Sequence, residues 1–311
     1  MINYAIQNNR IEWECFCGYK IKAQIYYNCE MIERCNSCLR EYVVRNKKGR
    51  IVVLTMSCDQ AIEQIEEHSE FLQDLKSKQM VWKDESVDFK RDIAKRSIEK
   101  LVHFSKVENI VGVILCGGII SREVRNKLVG EDSKCHFFAV RDVERLDEQL
   151  EGISCSIEHP NQYFFERKRS QPNSLWCVLT LSPDLIYCKE TLFYHYNAAS
   201  NIARSLRGEQ LKHFNTIFNE QVEDSYGRML RRDPPKKMCY PTSFQAEILV
   251  KNFIPWEKIL GINFESKEAL SKAEDWLEPI LELFGREGID YLSKFQIAPQ
   301  FWEMIDERSF E

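Results

Sequence analysis

Tyr240-Pro-Thr-Ser-Phe-Gln-Ala-Glu-Ile-Leu-Val250 reads as a β-strand, with Phe244, Ala246, Ile248 and Val250 on one face and Gln245, Glu247 and Leu249 on the other. A carboxylate inside an apolar strand is costly unless it is paired, solvated in a cleft, or used. The Gln-x-Glu spacing sets both polar side chains on the same face, two residues apart. Such a strand is expected to border a cleft, where a carboxylate can take part in chemistry. Upstream of it, from Val102, short strands and helices alternate, so the main part of the chain reads as α+β. Strands are expected over Phe137–Val140, Ile153–Ile157, Trp176–Leu181 and Ala246–Val250, and a short helix over Ile110–Leu115 ends in the turn Gly117-Gly118. Residues 198–222 and Lys267–Leu283 read as helical. Between them Glu223–Cys239, polar, basic and broken by Pro234-Pro235, is expected to be an exposed loop.

The 311 residues suffice for one large domain or two smaller ones, each with its own core. No stretch approaches the roughly 20 apolar residues that span a bilayer. The first ten residues lack the charged start and apolar run of a signal peptide, so a cytoplasmic protein without a membrane partner is expected. A net charge of −5 argues against an overall basic surface and leaves room for a local basic groove.

Of the 12 cysteines, Cys15, Cys17, Cys29, Cys35 and Cys38 crowd the first forty residues, and the rest are scattered as small hydrophobes. Short strands and tight turns are expected over about residues 10–54. Cys15-Phe-Cys-Gly18, a hairpin, then Cys35-Asn-Ser-Cys38 resembles a zinc ribbon, with thiolates from two turns closing a tetrahedron. Cys15, Cys17, Cys35 and Cys38 are the expected ligands of a structural zinc. Cys29 is a possible substitute, and a metal-free β subdomain is the competing reading. Asp59 is a candidate N-cap for a helical stretch reaching about Met80, and a second, highly charged helix is expected from Val87 to Leu101. The division is then residues 1–56 as a zinc-ribbon-like subdomain, 57–100 as a helical linker, and 101–311 as the main domain with a helical tail.

His103 stands at the end of an expected strand, with Ser105 and Asn109 close behind it and a glycine-terminated helix following. No Gly-x-Gly-x-x-Gly and no Gly-Lys-Ser phosphate loop occurs, which sets aside dinucleotide folds of the Rossmann type and P-loop enzymes. His103-Phe-Ser-Lys-Val-Glu-Asn-Ile110 running to Cys116-Gly-Gly118 resembles the opening motif of the DarT family, ADP-ribosyltransferases that modify nucleic-acid bases. In the same order follow Arg141-Asp-Val-Glu-Arg-Leu-Asp147, the block from Ile153 through Pro160-Asn161 and Tyr163 to Arg169, Trp176-Cys-Val-Leu179, Asn197-Ala-Ala-Ser-Asn201, and Pro241-Thr242 leading to Gln245-Ala-Glu247. The resemblance covers about residues 101–260.

It implies an ADP-ribosyltransferase-like split β-sheet core with flanking helices, preceded by the zinc-ribbon-like extension. It also implies NAD as co-substrate. His103, Ser105 and Asn109 would hold the nicotinamide-ribose end of NAD. Glu247 would bond the ribose 2′-hydroxyl and stabilise the positive charge that develops as nicotinamide leaves. Gln245 would orient the acceptor base. Arg141 or Arg145, between which spacing does not decide, would contact phosphate or assist attack. A toxin acting on single-stranded DNA, with an antitoxin protein as partner, is the leading expectation. RNA as acceptor, or a non-catalytic zinc-ribbon nucleic-acid-binding protein, are the alternatives.

The residues themselves add support on the nucleic-acid side. Arg167 and Arg169 beside Tyr163 join phosphate neutralisation to a stacking surface. Arg231 and Arg232 lie in the basic segment just before the Gln-x-Glu stretch. A base inside a duplex is out of reach, so a single strand or a flipped nucleotide is required.

Overall fold

The computed structural model describes residues 4–7, 10–14, 19–27, 29–36, 41–47, 50–79, 81–131, 135, 138, 149–170, 175–232, 236–283 and 292–303. Two small antiparallel sheets open the chain. One holds β1 (Tyr4–Gln7), β2 (Arg10–Glu14) and β3 (Lys20–Gln24), the other β4 (Cys29–Arg34), β5 (Glu41–Lys47) and β6 (Arg50–Thr55). Alternation drives both: Ile11, Trp13, Ile21, Ala23, Tyr42, Val44 and Val53 are buried in one shared core, with Trp13 edge-on to Tyr42 at 5.8 Å. Cys35 is buried in this same core. Cys15, Cys17 and Cys38 lie outside the described residues, among which no group of three or more His, Cys, Asp or Glu side chains could hold a metal.

Three helices follow, α1 (Met56–Glu67), α2 (Ser69–Lys78) and α3 (Ser86–Arg96). The first begins at Met56, ahead of the expected cap at Asp59. The third ends at Arg96 instead of reaching Leu101, because Ser97 takes a left-handed conformation (φ 57°) and closes it by donating to Ala94 O. These helices are more than a tether. Ile62, Ile65, Leu72, Leu75, Phe89 and Ile93 join the main core, and Phe89 stacks near Phe193 and Phe214 at 5.6 and 5.7 Å. Between α2 and α3, the buried Lys83 donates to Thr191 O at 2.9 Å and Lys189 O at 3.2 Å.

The main domain comprises β7 (Leu101–Lys106), α4 (Glu108–Leu115), β8 (Gly118–Ile120), α5 (Arg122–Val129), β9 (Gly152–Ile157), α6 (Gln162–Arg169), β10 (Trp176–Leu181), β11 (Thr191–Tyr194), α7 (Asn201–Ser205), α8 (Leu211–Thr216), β12 (Gln221–Glu223), β13 (Met229–Arg231), β14 (Glu247–Lys251), β15 (Phe253–Pro255), β16 (Ile259–Phe264), α9 (Lys267–Leu283) and β17 (Phe295–Ile297). Seven strands form one sheet in the order β11-β14-β9-β7-β10-β16-β17, antiparallel except for the β16–β17 pair. The expected helix before Gly117 and the strands at β9 and β10 are present. Gly118 is required: a Cβ there would meet Ile254 O at 2.3 Å where β8 pairs with β15. The expected strand over Phe137–Val140 lies outside the described residues apart from Phe138, which is buried.

Two expectations fail downstream of β11. Residues 198–222 are not one helix but α7, α8 and the start of a hairpin, the chain turning at Gly208, where Gly208 O accepts from Phe193 N at 3.0 Å. Glu223–Cys239 is not wholly loop. Its first part pairs as β12–β13, with Val222 buried opposite Leu230. Polar composition hid the hairpin because its outer face is solvated and a single apolar pair seats it. Among the described residues no helix is long and apolar enough to cross a membrane.

Candidate active site at the seam of the sheet

The large sheet has a weak seam. β10 and β7 pair over six residues and β14 and β9 over four, whereas β7 and β9 pair only at Leu101–Ile157 and Val102–Ser156. Past Val102 the two strands no longer pair.

Glu247 is the first residue of β14, opposite Tyr194 of β11. Its carboxylate is buried yet fastened at both oxygens. Ser154 Oγ on β9 donates to Oε2 at 2.8 Å, and Asn197 Nδ2 donates to Oε1 at 2.9 Å. Asn197 is itself fixed, because its Oδ1 accepts from Ala199 N at 2.9 Å. Hydrogen bonds to an ionised acceptor are the strong kind, and two of them orient the carboxylate. The neighbouring Cys155 is no nucleophile: burial pushes its thiol far up, and the Glu247 charge pushes the same way.

Across the seam, His103 sits in the middle of β7, half-buried, with Nδ1 2.8 Å from Ser154 O. A carbonyl only accepts, so Nδ1 carries the proton and Nε2 is the imidazole's acceptor in its neutral form. Ser154 therefore touches both expected site residues, His103 through its carbonyl and Glu247 through its hydroxyl. Ser105 and Asn109 pair with each other at the exit of β7, Asn109 Nδ2 donating to Ser105 Oγ at 3.1 Å.

Gln245 is not on the strand with Glu247. The segment before Glu247 is a turn: Thr242 N and Oγ1 donate to Ile217 O and Asn219 O, and Ala246 N closes on Ser243 O at 3.0 Å. With these groups committed elsewhere, no ladder forms until residue 247. Gln245 instead donates from Nε2 to Tyr196 OH at 2.8 Å, on the approach to the carboxylate. Arg141 and Arg145 lie outside the described residues.

The nucleic-acid candidates divide into displayed groups and braces. Tyr163 and Arg167 are exposed on α6, with Tyr163 edge-on to Phe164 at 5.6 Å, and Arg231 is exposed on β13. Arg169 bonds Glu166 at 2.5 Å and Trp302 O at 3.4 Å, and Arg232 donates to Tyr240 O and Lys237 O, both at 2.7 Å. Sequence reading did not single out Ser154, Asn197 and Tyr196. Ser154 and Asn197 stand in quoted motifs and Tyr196 directly precedes one, and the polar Ser154 between the buried Ile153 and Cys155 is the available signal.

A family model described as DarT, ssDNA thymidine ADP-ribosyltransferase, matches residues 102–282. Among solved structures, Thermus sp. 2.9 DarT in complex with NAD+ is similar at 16% identity and a TM-score of 0.44, covering 65% of this chain and 96% of that one. Thermus sp. 2.9 DarT in complex with ADP-ribosylated ssDNA is similar at 13% identity and a TM-score of 0.42, covering 66% and 96%. Thermosipho africanus DarTG in complex with ADP-ribose is similar at 14% identity and a TM-score of 0.44, covering 66% of this chain and 51% of that one. No curated protein matches the chain.

Proposed function

Because the chain belongs to the DarT family of ssDNA thymidine ADP-ribosyltransferases, we propose that it moves ADP-ribose from NAD to a thymine base of single-stranded DNA with Glu247 at the reacting centre. The observation that carries this is the carboxylate held at both oxygens beside the seam, opposite His103. The bond from ribose C1′ to the nicotinamide nitrogen breaks and nicotinamide leaves neutral. An atom of the base bonds to C1′, and the base gives up its proton. Positive charge gathers on the ribose in between, and a preorganised carboxylate bonded to the 2′-hydroxyl stabilises it without reorganising at the moment of reaction. His103, Ser105 and Asn109 hold the nicotinamide-ribose end, Gln245 faces the acceptor base, and Arg141 or Arg145 meets phosphate. Tyr163, Arg167 and Arg231 are the displayed groups suited to an unpaired strand.

Incubation with NAD and oligothymidine, followed by mass spectrometry, tests the reading. Release of nicotinamide and an oligonucleotide heavier by one ADP-ribose is the expected result. Modified RNA with untouched DNA would reassign the acceptor, and labelled protein with unmodified nucleic acid would move the chain among protein-modifying transferases.

Two further elements belong to the same proposal. An antitoxin protein is the partner that a base-modifying toxin needs. A structural zinc on Cys15, Cys17, Cys35 and Cys38 is supported by the hairpin pairings of β2–β3 and β4–β5, whose connections carry these residues. Metal analysis should find about one ion per chain, and chelation should expose residues 10–54 to protease first. A metal-free protein with an intact N-terminal core would remove the zinc and leave the transferase reading standing.

A further inference from the structure

The tip of the β12–β13 hairpin is a built feature that the chemistry at Glu247 does not use. Asp224, its side chain 1% exposed, organises it. One carboxylate oxygen accepts from the backbone N–H of Tyr226 at 2.8 Å and of Arg228 at 3.0 Å. The other accepts from Arg228 Nε and Nη2, both at 2.7 Å. Asp224 N donates to Arg228 O at 2.9 Å, and Gly227, at φ 77°, lets the chain turn there. The product of all this bonding is an aromatic ring pointed outward. Tyr226 is 80% exposed, and the Arg228 guanidinium, its side chain 71% exposed, lies 5.2 Å from the ring centre. Holding an arginine in one geometry costs conformational entropy, and nothing in the core is gained by it.

The hairpin also stands beside the site. Leu230 packs against the cluster containing Tyr194 and Tyr196, and Tyr194 is the residue paired with Glu247. In that same cluster, the Tyr196 hydroxyl accepts from Gln245 Nε2. Five cations against one carboxylate occupy residues 226–240, in a chain whose net charge is −5. A ring with a cation on it, set among cations, suits one chemistry above others: a nucleobase face for the ring and its phosphate for the guanidinium.

We propose that Tyr226 and Arg228 form a preassembled platform on which a base flanking the acceptor thymidine stacks, with Asp224 as its positioning residue. The proposal rests on the reading of the chain as a DNA ADP-ribosyltransferase. The platform holds the strand and leaves the break of the NAD glycosidic bond to the seam. It requires an unpaired flanking base, because a duplex offers no free base face at its side.

The test uses the full chain, NAD and oligothymidine, and measures both DNA modification and the slow release of nicotinamide from NAD without DNA. Tyr226→Ala should raise the KM for oligonucleotide about tenfold or more, the range for losing one stacked base. Tyr226→Phe should stay near wild type, since the ring stacks without its hydroxyl. Asp224→Asn should raise the same KM by a smaller factor. All three should leave kcat and DNA-independent nicotinamide release unchanged. An unaltered KM in Tyr226→Ala overturns the platform while the transferase reading stands. A wild-type protein that modifies no DNA overturns both.

Discussion

Two buried carboxylates a short distance apart in the sequence, Asp224 and Glu247, are each held by hydrogen bonds, and they are held differently. Asp224 is met by two backbone N–H groups and a guanidinium. Burial acts to raise its pKa, but the bonds from Arg228 and Tyr226 outweigh it and keep the carboxyl below the ordinary aspartate range. Glu247 is held by a serine hydroxyl and an asparagine amide. Among the described residues these two donors are neutral, and donors of this kind fix a carboxylate in place without cancelling its charge. The first arrangement makes a strut for a turn. The second suits a group that must meet a developing cation.

The comparison can be broken most severely at Glu247. Glu247→Gln keeps size and removes charge, and should lower kcat for DNA modification by about two to three orders of magnitude while the thermal unfolding curve stays close to wild type. Activity within a factor of about two of wild type would deny Glu247 its place at the reacting centre.

Next in size are the donors that hold it. Ser154→Ala and Asn197→Ala should each reduce kcat by about tenfold, the scale of one hydrogen bond to a charged group, with a smaller change in KM for NAD. Because both act on one carboxylate, the double variant should lose less than the product of the two single losses. Independent, multiplicative losses would mean that they do not act through Glu247.

The smallest effect is expected from protonating Asp224. Its folded pKa lies below the ordinary value of 3.8, so its contribution to the hairpin is complete above that value and is lost only as pH falls through the lower, folded one. NMR shifts of the Tyr226 and Arg228 amides should therefore stay constant from neutrality down past pH 4 in wild type. In Asp224→Asn they should differ already at neutral pH. Movement in wild type at higher pH would show that the carboxylate does not hold the turn.

The strand, the seam and the platform were unequally legible in the sequence. Glu247 was visible because a carboxylate interrupts an apolar run, and His103 because its motif is local. Ser154 and Asn197 were not singled out, since their role depends on strand order: β9 and β11 flank β14 only after the chain has crossed back on itself. Gln245 was placed one element too late, because the alternation of Phe244, Ala246 and Ile248 continues through a turn whose hydrogen bonds go to residues near 217. The hairpin was read as loop although Asp224-Ser-Tyr-Gly227 contains the residue types of a tight turn. Charge density in that stretch drew attention to solvent and away from local order.

The seam has a thermal consequence. Half-sheets that share two residue pairs need not open together, so amide hydrogens on β9 and β14 can exchange on a different schedule from those on β7 and β10. A dinucleotide gripped by His103 on one half and Glu247 on the other would act as a staple, merging two exchange populations into one. Substrate would then be part of what makes the sheet a single cooperative body.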